Sequence, residues 1–266
     1  MTTGAYYNKN LPPRFIEAWK RIEESGVGLF SIADMMRITG FMKGEINELV
    51  ENLFRHSLLE RIERGKYCHY NFTNENAIGC FFAQNGTVGY GSALNYHGLT
   101  PRFPNAIIIQ TTRQRLNARF RGATYRFVTI KPSKYAGIET IGYGGEKFRI
   151  TSLEKTLVDC FDKPDLGGEY ADLIRAFASS DSRPDKLIEA AGIVRNRAAM
   201  KRMGYVAELV KPEKLDSFCQ FVRAGLTNSY DTFDPSGPNT GRMDPRWKLR
   251  MNISVNDISN LINETY

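Results

Sequence analysis

The sequence predicts an α+β fold in which a small helical domain with a β-hairpin precedes a larger mixed α/β domain. The length of 266 residues suits two domains, because single domains most often hold roughly 100 to 150 residues. Three helical periodicities and two alternating runs fill the first seventy residues, and apolar strand-like runs then alternate with helical segments. The hydrophobic share of 42% and the charged share of 24% are typical of a globular protein with a sizeable core.

Three helices are predicted before residue 57. A proline pair ending at Pro13 begins the first helix, whose apolar residues recur at helical spacing. Ser31 is placed to cap a second, short helix that Gly40 ends. A third helix is predicted from about residue 43 to residue 56, since its apolar residues form one stripe.

A β-hairpin is predicted directly after the third helix. Residues 58–63 and 67–72 each alternate in polarity, and a short turn that contains Gly65 separates them. Three helices followed by a hairpin is the order of elements in a winged helix-turn-helix. Residues 1–75 are therefore predicted to form a winged helix DNA-binding domain.

The DNA contacts of such a domain come from its third helix and from the hairpin. The exposed residues near the start of the third helix face base edges in the major groove, and here these are Lys43, Gly44, Asn47 and Glu48. The hairpin places cations against phosphates, and the candidates there are Arg61, Arg64 and Lys66. For each of these residues a merely solvated surface position is the competing interpretation.

The charge of the first domain opposes strong DNA binding. The third helix carries Glu45, Glu48 and Glu51, and residues 1–70 hold ten basic and nine acidic side chains. Because non-specific attraction to phosphates is electrostatic, a nearly neutral domain binds DNA weakly without help from another surface. The acidic row keeps open the alternative of a protein-interaction module whose winged helix no longer binds DNA.

The second domain is predicted over residues 76–225. A helix ends near His97 and Gly98, and buried strands follow at residues 105–111 and 124–130. Another strand reaches residue 150, where Thr151 and Ser152 form a capping signal for the helix over 153–162. Three more helices are predicted between residues 167 and 210. The last 20 residues are too mixed to assign.

Positive charge is concentrated in this second domain. The chain has a net charge of +7 and a pI near 9.2, and no acidic residue occurs between Glu75 and Glu139. Eight cations lie in that stretch, one of which is Arg102. The other seven are the predicted basic surface: Arg113, Arg115, Arg119, Arg121, Arg126, Lys131 and Lys134. Such a surface indicates a polyanionic partner.

Two motifs resemble those of the AbiEi family of antitoxins and transcriptional regulators. The first is S-A-L-N-Y-H-G-L-T at residues 92–100, and the second is F-R-I-T-S-L-E-K-T-L-V-D-C-F at residues 148–161. With the hairpin sequence LLERIERGKY and the strand at residues 107–109, they occur in an order and spacing similar to that family over residues 12–180. The resemblance covers roughly two thirds of the chain.

This resemblance implies a transcriptional autorepressor that binds operator DNA, expected as inverted repeats, ahead of its own operon. It also implies a type IV antitoxin in phage defence, which opposes an AbiEii-like nucleotidyltransferase toxin without requiring a stable complex. In the family the winged helix carries DNA binding, and the following domain carries antitoxin action and aids repression. Residues 226–266 have no recognisable counterpart and are predicted to be a C-terminal extension of unknown role.

The motif residues admit two interpretations. They fix the end of a helix and the domain core, which we favour, or they contact nucleic acid directly. The positions concerned are Ser92, Tyr96, His97, Gly98, Thr151 and Ser152. A lone histidine in an aromatic setting is more often a structural residue than a catalytic one.

An enzymatic function is not favoured. No Asp, Glu or Gln has a lysine two positions later, which removes the commonest nuclease pattern, and no P-loop is present. Asp159, Asp162 and Asp165 are clustered but are expected on a solvated helix face and in a turn. We therefore expect no catalysis, no cofactor and no metal. A nucleic-acid-processing enzyme is the least favoured alternative.

The remaining sequence features concern compartment and redox state. Four widely spaced cysteines predict buried, reduced thiols, and three histidines lack the spacing of a metal site. No apolar run approaches the roughly 20 residues of a membrane span. The first residues lack the apolar region of a signal peptide, so the chain is expected in the cytoplasm, with no membrane partner.

Overall fold

The computed structural model describes residues 11–263 and has an α+β architecture divided into two compact units. The first unit takes the described residues up to Gly86 together with Thr140–Phe148. The second unit takes Thr87–Glu139 and the described residues from Arg149 onward. The predicted fold class is confirmed. The predicted absence of a signal peptide concerns a segment whose first ten residues lie outside the described range.

The first unit contains the three predicted helices and the predicted hairpin. Its elements in chain order are α1 (Pro13–Glu24), β1 (Leu29–Ser31), α2 (Ile32–Thr39), α3 (Lys43–Arg55), β2 (Leu59–Glu63), β3 (Lys66–His69) and α4 (Glu75–Phe82). The strands form an antiparallel sheet in the order β1-β3-β2. Strand β1 was not predicted, because three residues are too few to show an alternating pattern.

Local sequence signals explain where these helices begin and end. The Ser31 side chain accepts a hydrogen bond from the Asp34 amide at 3.2 Å, and Asp34 accepts one from the Ser31 amide at 2.9 Å. Gly40 ends α2 in the left-handed region, with φ of 77°. The helices then bury one face each, and Trp19 and Leu49 are among the core residues that lie between them.

The second unit is built around a six-stranded mixed sheet in the order β6-β7-β5-β4-β9-β8. Its strands are β4 (Thr87–Val88), β5 (Ile107–Thr111), β6 (Ala118–Phe120), β7 (Ala123–Thr129), β8 (Ile138–Ile141) and β9 (Phe148–Thr151). Strand β5 runs parallel to β7 and antiparallel to β4, and β4 runs parallel to β9. The strands predicted at 105–111, 124–130 and 146–150 correspond to β5, β7 and β9.

Helices pack with this sheet and build most of the core of the second unit. They are α5 (Tyr90–Tyr96), α6 (Leu153–Asp162), α7 (Pro164–Gly167), α8 (Tyr170–Ser179), α9 (Pro184–Val194), α10 (Arg197–Val210), α11 (Asp216–Ala224) and α12 (Val255–Asn263). A second, three-stranded sheet joins β10 (Asp231–Thr232), β12 (Leu249–Met251) and β11 (Arg242–Asp244), in that order. No helix of the described chain is long and apolar enough to cross a membrane.

The segment after residue 226 is part of the second unit and supplies core side chains. Trp247 is 1% exposed, and Leu249 and Ile258 are completely buried in the same cluster as the helices. A Cβ added to Gly204 on α10 would lie 2.3 Å from the Trp247 ring, so the indole packs directly on this glycine. Residues 226–263 therefore supply side chains to the core of the unit, which the sequence alone did not indicate.

The unit boundaries differ from those predicted at residues 75/76 and 225/226. The first unit extends past α4 to Gly86 and also takes in residues 140–148. A Cβ added to Gly145 would lie 2.3 Å from the Gly26 carbonyl oxygen and 2.4 Å from the Gly28 amide nitrogen. The backbones meet so closely that only glycine fits at position 145, and sequence periodicity carries no signal for such an approach.

Candidate nucleic-acid interface

The N-terminal half of α3 presents a polar face. Ile46, Leu49 and Leu53 are completely buried and anchor the opposite face in the core of the first unit. The four predicted base-reading positions are exposed: Lys43, Gly44, Asn47 and Glu48. Among the described residues, no hydrogen bond or ion pair occupies the side chains of Lys43 and Asn47. A cation and an amide therefore stand at the start of the helix, where the macrodipole is positive.

Each of the three α3 carboxylates is engaged within the unit. Glu45 accepts a hydrogen bond from the Met42 amide at 2.9 Å and so caps its own helix. Glu48 pairs with Arg14 of α1 at 2.5 Å, and Glu51 pairs with Arg55 at 2.5 Å. The acidic row is thus largely compensated by nearby cations and amides.

The hairpin presents two exposed arginines and a tight turn. Strands β2 and β3 are joined through Arg64 and Gly65, and Gly65 has φ of 78°. A register shift between Arg61 and Glu63 marks a bulge in β2. Arg61 and Arg64 are both exposed, as the sequence predicted for phosphate-contacting residues.

Lys66 is not available to a phosphate. Its ammonium donates hydrogen bonds to the Phe81 carbonyl at 2.9 Å and to the Phe82 carbonyl at 2.6 Å. The same nitrogen pairs with Glu63 at 2.9 Å. Lys66 therefore joins the hairpin to the end of α4, and its predicted role in phosphate contact is replaced by a structural one. The reason is tertiary, since Phe81 and Phe82 lie far along the chain.

His69 at the end of β3 is partly buried and packs against two aromatic core residues of the first unit. Its ring lies 4.8 Å from the Trp19 ring and 5.3 Å from the Phe30 ring, both edge-on. Its Nε2 lies 3.2 Å from the Val27 carbonyl oxygen, so Nε2 carries the proton that is donated. Burial holds the pKa of His69 below its usual value of 6.5.

The basic residues of the second unit do not share one surface. Arg119 on β6 stands opposite Thr124 of β7, so it lies on the same sheet face as Arg126. Arg115 is associated with the other face, since its guanidinium lies 4.9 Å from the centre of the Phe127 ring. The seven predicted residues therefore do not form one surface. Within that set, Arg119 and Arg126 are the two that lie on the same face of the sheet.

The remaining basic residues of this stretch occupy other environments. Arg121, with φ of 47°, forms the hairpin turn between β6 and β7, and Arg113 is exposed after β5. Lys134 pairs with Asp162 at 2.7 Å, and its side chain is only 26% exposed. Lys131 is exposed at the edge of a cavity. Arg102, outside the predicted seven, pairs with acidic residues of the α8 region.

The family-motif residues connect α5 to the central sheet. The Ser92 hydroxyl accepts a hydrogen bond from the Ile108 amide of β5 at 2.8 Å. His97 Nε2 lies 2.9 Å from the Thr151 carbonyl of β9. Ser152 caps α6, and Gly98 follows α5 with φ of 70°. These bonds support the structural interpretation of the motif residues, and Tyr96 is 48% exposed with its ring 6.0 Å from the His97 ring.

Sequence reasoning missed a buried ionic network in the second unit. Lys155 and Asp159 of α6 are 1% and 3% exposed, and the Lys155 ammonium lies 2.6 Å from both Asp159 carboxylate oxygens. Gln110 of β5 donates to the same carboxylate at 2.7 Å. The prediction that Asp159 lies on a solvated face is wrong. The available signal was the i, i+4 spacing of Lys155 and Asp159 in a helix with apolar residues around it.

All four cysteines are free and buried, as predicted, and burial raises the pKa of the Cys160 thiol well above its usual range. Residues 11–263 contain no group of three or more His, Cys, Asp or Glu side chains that could hold a metal ion. In the first unit, the exposed face of α3 and the two exposed hairpin arginines are the predicted site residues that lie at the surface.

Comparison with known proteins gives a fold relative and no family. No protein-family profile matches the chain, and no curated protein matches it in sequence. Among solved structures, the RV2827C protein from Mycobacterium tuberculosis matches with a TM-score of 0.60 and 15% sequence identity. The match covers 96% of this chain and 96% of the mycobacterial chain. The whole chain is therefore similar in fold to that protein.

Proposed function

We propose that this chain is a DNA-binding transcriptional repressor whose first unit is a winged helix-turn-helix. The observation that carries the proposal is the exposed pair Lys43 and Asn47 at the start of α3, together with the exposure of Arg61 and Arg64 in the hairpin. Asn47 is the residue type that forms a bidentate contact with adenine, and the three cations suit phosphates or guanine. Operator DNA, expected as inverted repeats, is the partner.

The charge distribution within α3 supports DNA over a protein partner. Among the glutamates on the helix, Glu48 is paired with Arg14, and Glu45 is bound to the amide that starts the helix. An acidic docking face needs carboxylates that are free to meet a basic partner, and these two are already engaged. The alternative of a protein-interaction module is therefore less well supported once these contacts are considered.

We further propose that the chain acts as the antitoxin of an AbiE-like type IV system, opposing a nucleotidyltransferase-like toxin, with this activity in the second unit. The support is the resemblance of the two motifs together with the acid-free basic stretch. Arg119 and Arg126 are its most suitable members, since they are exposed on one sheet face. Stacking of Arg115 on Phe127 makes Arg115 partly structural, so its substitution would test folding as well.

The DNA proposal is tested by titrating the full-length protein with DNA from upstream of its gene at several salt concentrations. Arg64→Ala should weaken binding to all sequences and reduce the slope of log affinity against log salt by about 1, as expected for one lost phosphate contact. Asn47→Ala should cost about 1 to 3 kcal/mol at the specific site and leave binding to unrelated DNA unchanged.

Lys20→Ala provides the matched control for these variants. Lys20 is an exposed cation of α1, and its pair with Glu24 spans 3.8 Å. Its removal should leave both affinity and salt slope at wild-type values. The DNA proposal is rejected if the wild-type chain prefers its upstream DNA to unrelated DNA by no measurable factor, or if Lys20→Ala matches Arg64→Ala.

The antitoxin proposal has a separate experiment. The toxin is expressed from an unrelated promoter, so that repression plays no part in rescue. The double variant Arg119→Glu/Arg126→Glu should then fail to rescue growth at wild-type protein level, whereas Arg242→Glu, an exposed arginine of β11, should rescue fully. Full rescue by the double variant would assign these two arginines to another role and refute this placement of the antitoxin activity.

A further inference from the structure

A cationic cavity lies in the second unit, between the region of Lys131 and the turn that joins α9 to α10. It has a volume of about 520 Å³, and we name it the cationic cavity after its four basic lining residues: Lys131, Lys134, Arg195 and Arg197. Asp162 is the single acidic residue that lines it. Cavities of 300 to 1,000 Å³ are the usual size of small-molecule sites.

Asp162 is fully engaged and does not neutralise the cavity. One carboxylate oxygen pairs with Lys134 at 2.7 Å, and the other accepts a hydrogen bond from the Asn196 amide at 2.7 Å. Within residues 11–263, no carboxylate pairs with Lys131, Arg195 or Arg197. Three positive charges thus converge on one cavity with no acid left to balance them, which is a favourable setting for a multiply charged anion.

A second cavity shares its wall with the first. It has a volume of about 670 Å³ and is lined by Arg195, Asn196 and Arg197, which also line the cationic cavity, and by apolar side chains. We name it the apolar cavity; its lining includes Ala191, Met200, Phe221, Val222 and Leu226. The Phe221 side chain is 42% exposed, so part of this ring is open to contact.

Lys201 lines the apolar cavity without making it cationic. Its ammonium is 1% exposed and lies 2.6 Å from both the Asp231 carboxylate and the Ser229 carbonyl. The charge of Lys201 is therefore compensated inside the unit. The two cavities differ in chemistry, one strongly cationic and one apolar, and two arginines stand at their junction.

This pair of cavities fits a molecule with an anionic end and a flat apolar end. Arginine binds phosphate oxygens in bidentate geometry, and its guanidinium plane also stacks on aromatic rings. Bases stack on exposed phenylalanine rings in the same way. We propose that the two cavities form one binding site for a free nucleoside triphosphate, with its phosphates on Lys131, Arg195 and Arg197 and its base beside Phe221.

The backbone conformation of Arg195 allows its side chain to be removed without straining the chain. Arg195 ends α9 in the left-handed region with φ of 57°, a conformation in which glycine is the preferred residue. Arg195→Gly therefore removes the guanidinium, together with its hydrogen bond to the Gly192 carbonyl, without imposing backbone strain on the helix end. The variant is expected to keep the wild-type circular dichroism spectrum and thermal midpoint, which separates loss of binding from loss of folding.

The experiment is isothermal titration calorimetry of the full chain with ATP, GTP, CTP, UTP and inorganic triphosphate in turn. At least one nucleotide should bind more tightly than inorganic triphosphate, because only the nucleotide fills the apolar cavity. Arg195→Gly and Arg197→Gln should each weaken that nucleotide by about tenfold, which corresponds to one lost charge-assisted hydrogen bond. Phe221→Ala should weaken the nucleotide and leave inorganic triphosphate unchanged.

Two control variants show whether the nucleotide binds at these cavities or elsewhere on the chain. Arg242→Gln removes an exposed arginine elsewhere in the same unit and should bind as the wild type does. Lys43→Gln, in the proposed DNA interface, should also leave nucleotide affinity unchanged, so failure of this site and failure of the DNA proposal are distinguishable. The proposal is overturned if none of the four nucleotides binds, if binding survives both arginine substitutions, or if inorganic triphosphate binds as tightly as every nucleotide.

Discussion

Replacing Lys155 by methionine should destabilise the second unit by about 3 to 5 kcal/mol, the usual cost of removing one partner of a buried ion pair. The Asp159 carboxylate is 3% exposed, and both of its oxygens lie 2.6 Å from the Lys155 ammonium. Without the lysine, the Asp159 carboxylate still accepts the hydrogen bond from the Gln110 amide at 2.7 Å, but it no longer has a cation beside it. One neutral donor does not compensate a carboxylate that burial has removed from water.

The penalty should depend on pH with a defined sign. Burial raises the pKa of Asp159 above its ordinary 3.8, and Lys155 opposes that rise, so the variant has a still higher folded-state pKa. A group whose pKa is raised by folding contributes stability at pH values below its unfolded-state pKa, and this stability is lost as pH rises through its folded-state pKa. The cost of Lys155→Met is therefore greatest at neutral pH and shrinks as pH falls toward 3.8.

Urea unfolding followed by circular dichroism, at several pH values, measures this effect. Lys155→Met/Asp159→Leu removes both charges and should recover most of the lost free energy of unfolding. Lys186→Met, at a surface pair in which the lysine side chain is 49% exposed, should leave the free energy of unfolding close to that of the wild type. A Lys155→Met chain within about 1 kcal/mol of wild type at pH 7, or with a penalty that does not change with pH, would refute the reasoning.

Three further predictions follow from single contacts. Burial lowers the pKa of His69 in the folded chain. The neutral imidazole therefore stabilises the fold above pH 6.5, the ordinary pKa of histidine, and this stability is lost as pH falls through the folded-state pKa. In His69→Gln, the thermal midpoint should not show this fall at acidic pH. Arg14→Ala leaves the negative charge of Glu48 without its cation, and this charge repels DNA. The variant should therefore bind operator DNA about two- to fivefold more weakly in fluorescence anisotropy, and Arg14→Ala/Glu48→Gln should restore binding. Gly204→Ala forces a methyl group against Trp247 and should lower the free energy of unfolding by about 1 to 3 kcal/mol in urea.

Much of the first unit could be predicted because its signals are local. The capping box of Ser31 and Asp34 and the left-handed Gly40 act within a few residues, and sequence spacing reports them directly. The exposed positions of α3 follow from helical periodicity in the same way, which is why Lys43 and Asn47 could be selected from the sequence. That the unit is a winged helix which binds DNA stays a prediction.

Contacts between distant parts of the chain could not be predicted. Lys66 looks like a phosphate-binding cation until the carbonyls at the end of α4 accept its hydrogen bonds, and Glu48 looks uncompensated until Arg14 pairs with it. In both cases the partner lies at least 15 residues away, where spacing carries no information. Whether these two surface charges are available to a partner was therefore a tertiary property.

The sequence by itself determined the order of the first three helices and the hairpin, the face that α3 buries, and the acid-free stretch of the second unit. Only the tertiary structure decided which of those charges share a surface, that residues 226–263 supply core side chains, and that Lys131 lies in one cavity with Arg195 and Arg197. Periodicity and capping are short-range effects that a linear sequence displays. Burial and charge compensation depend on which segments meet in the folded chain.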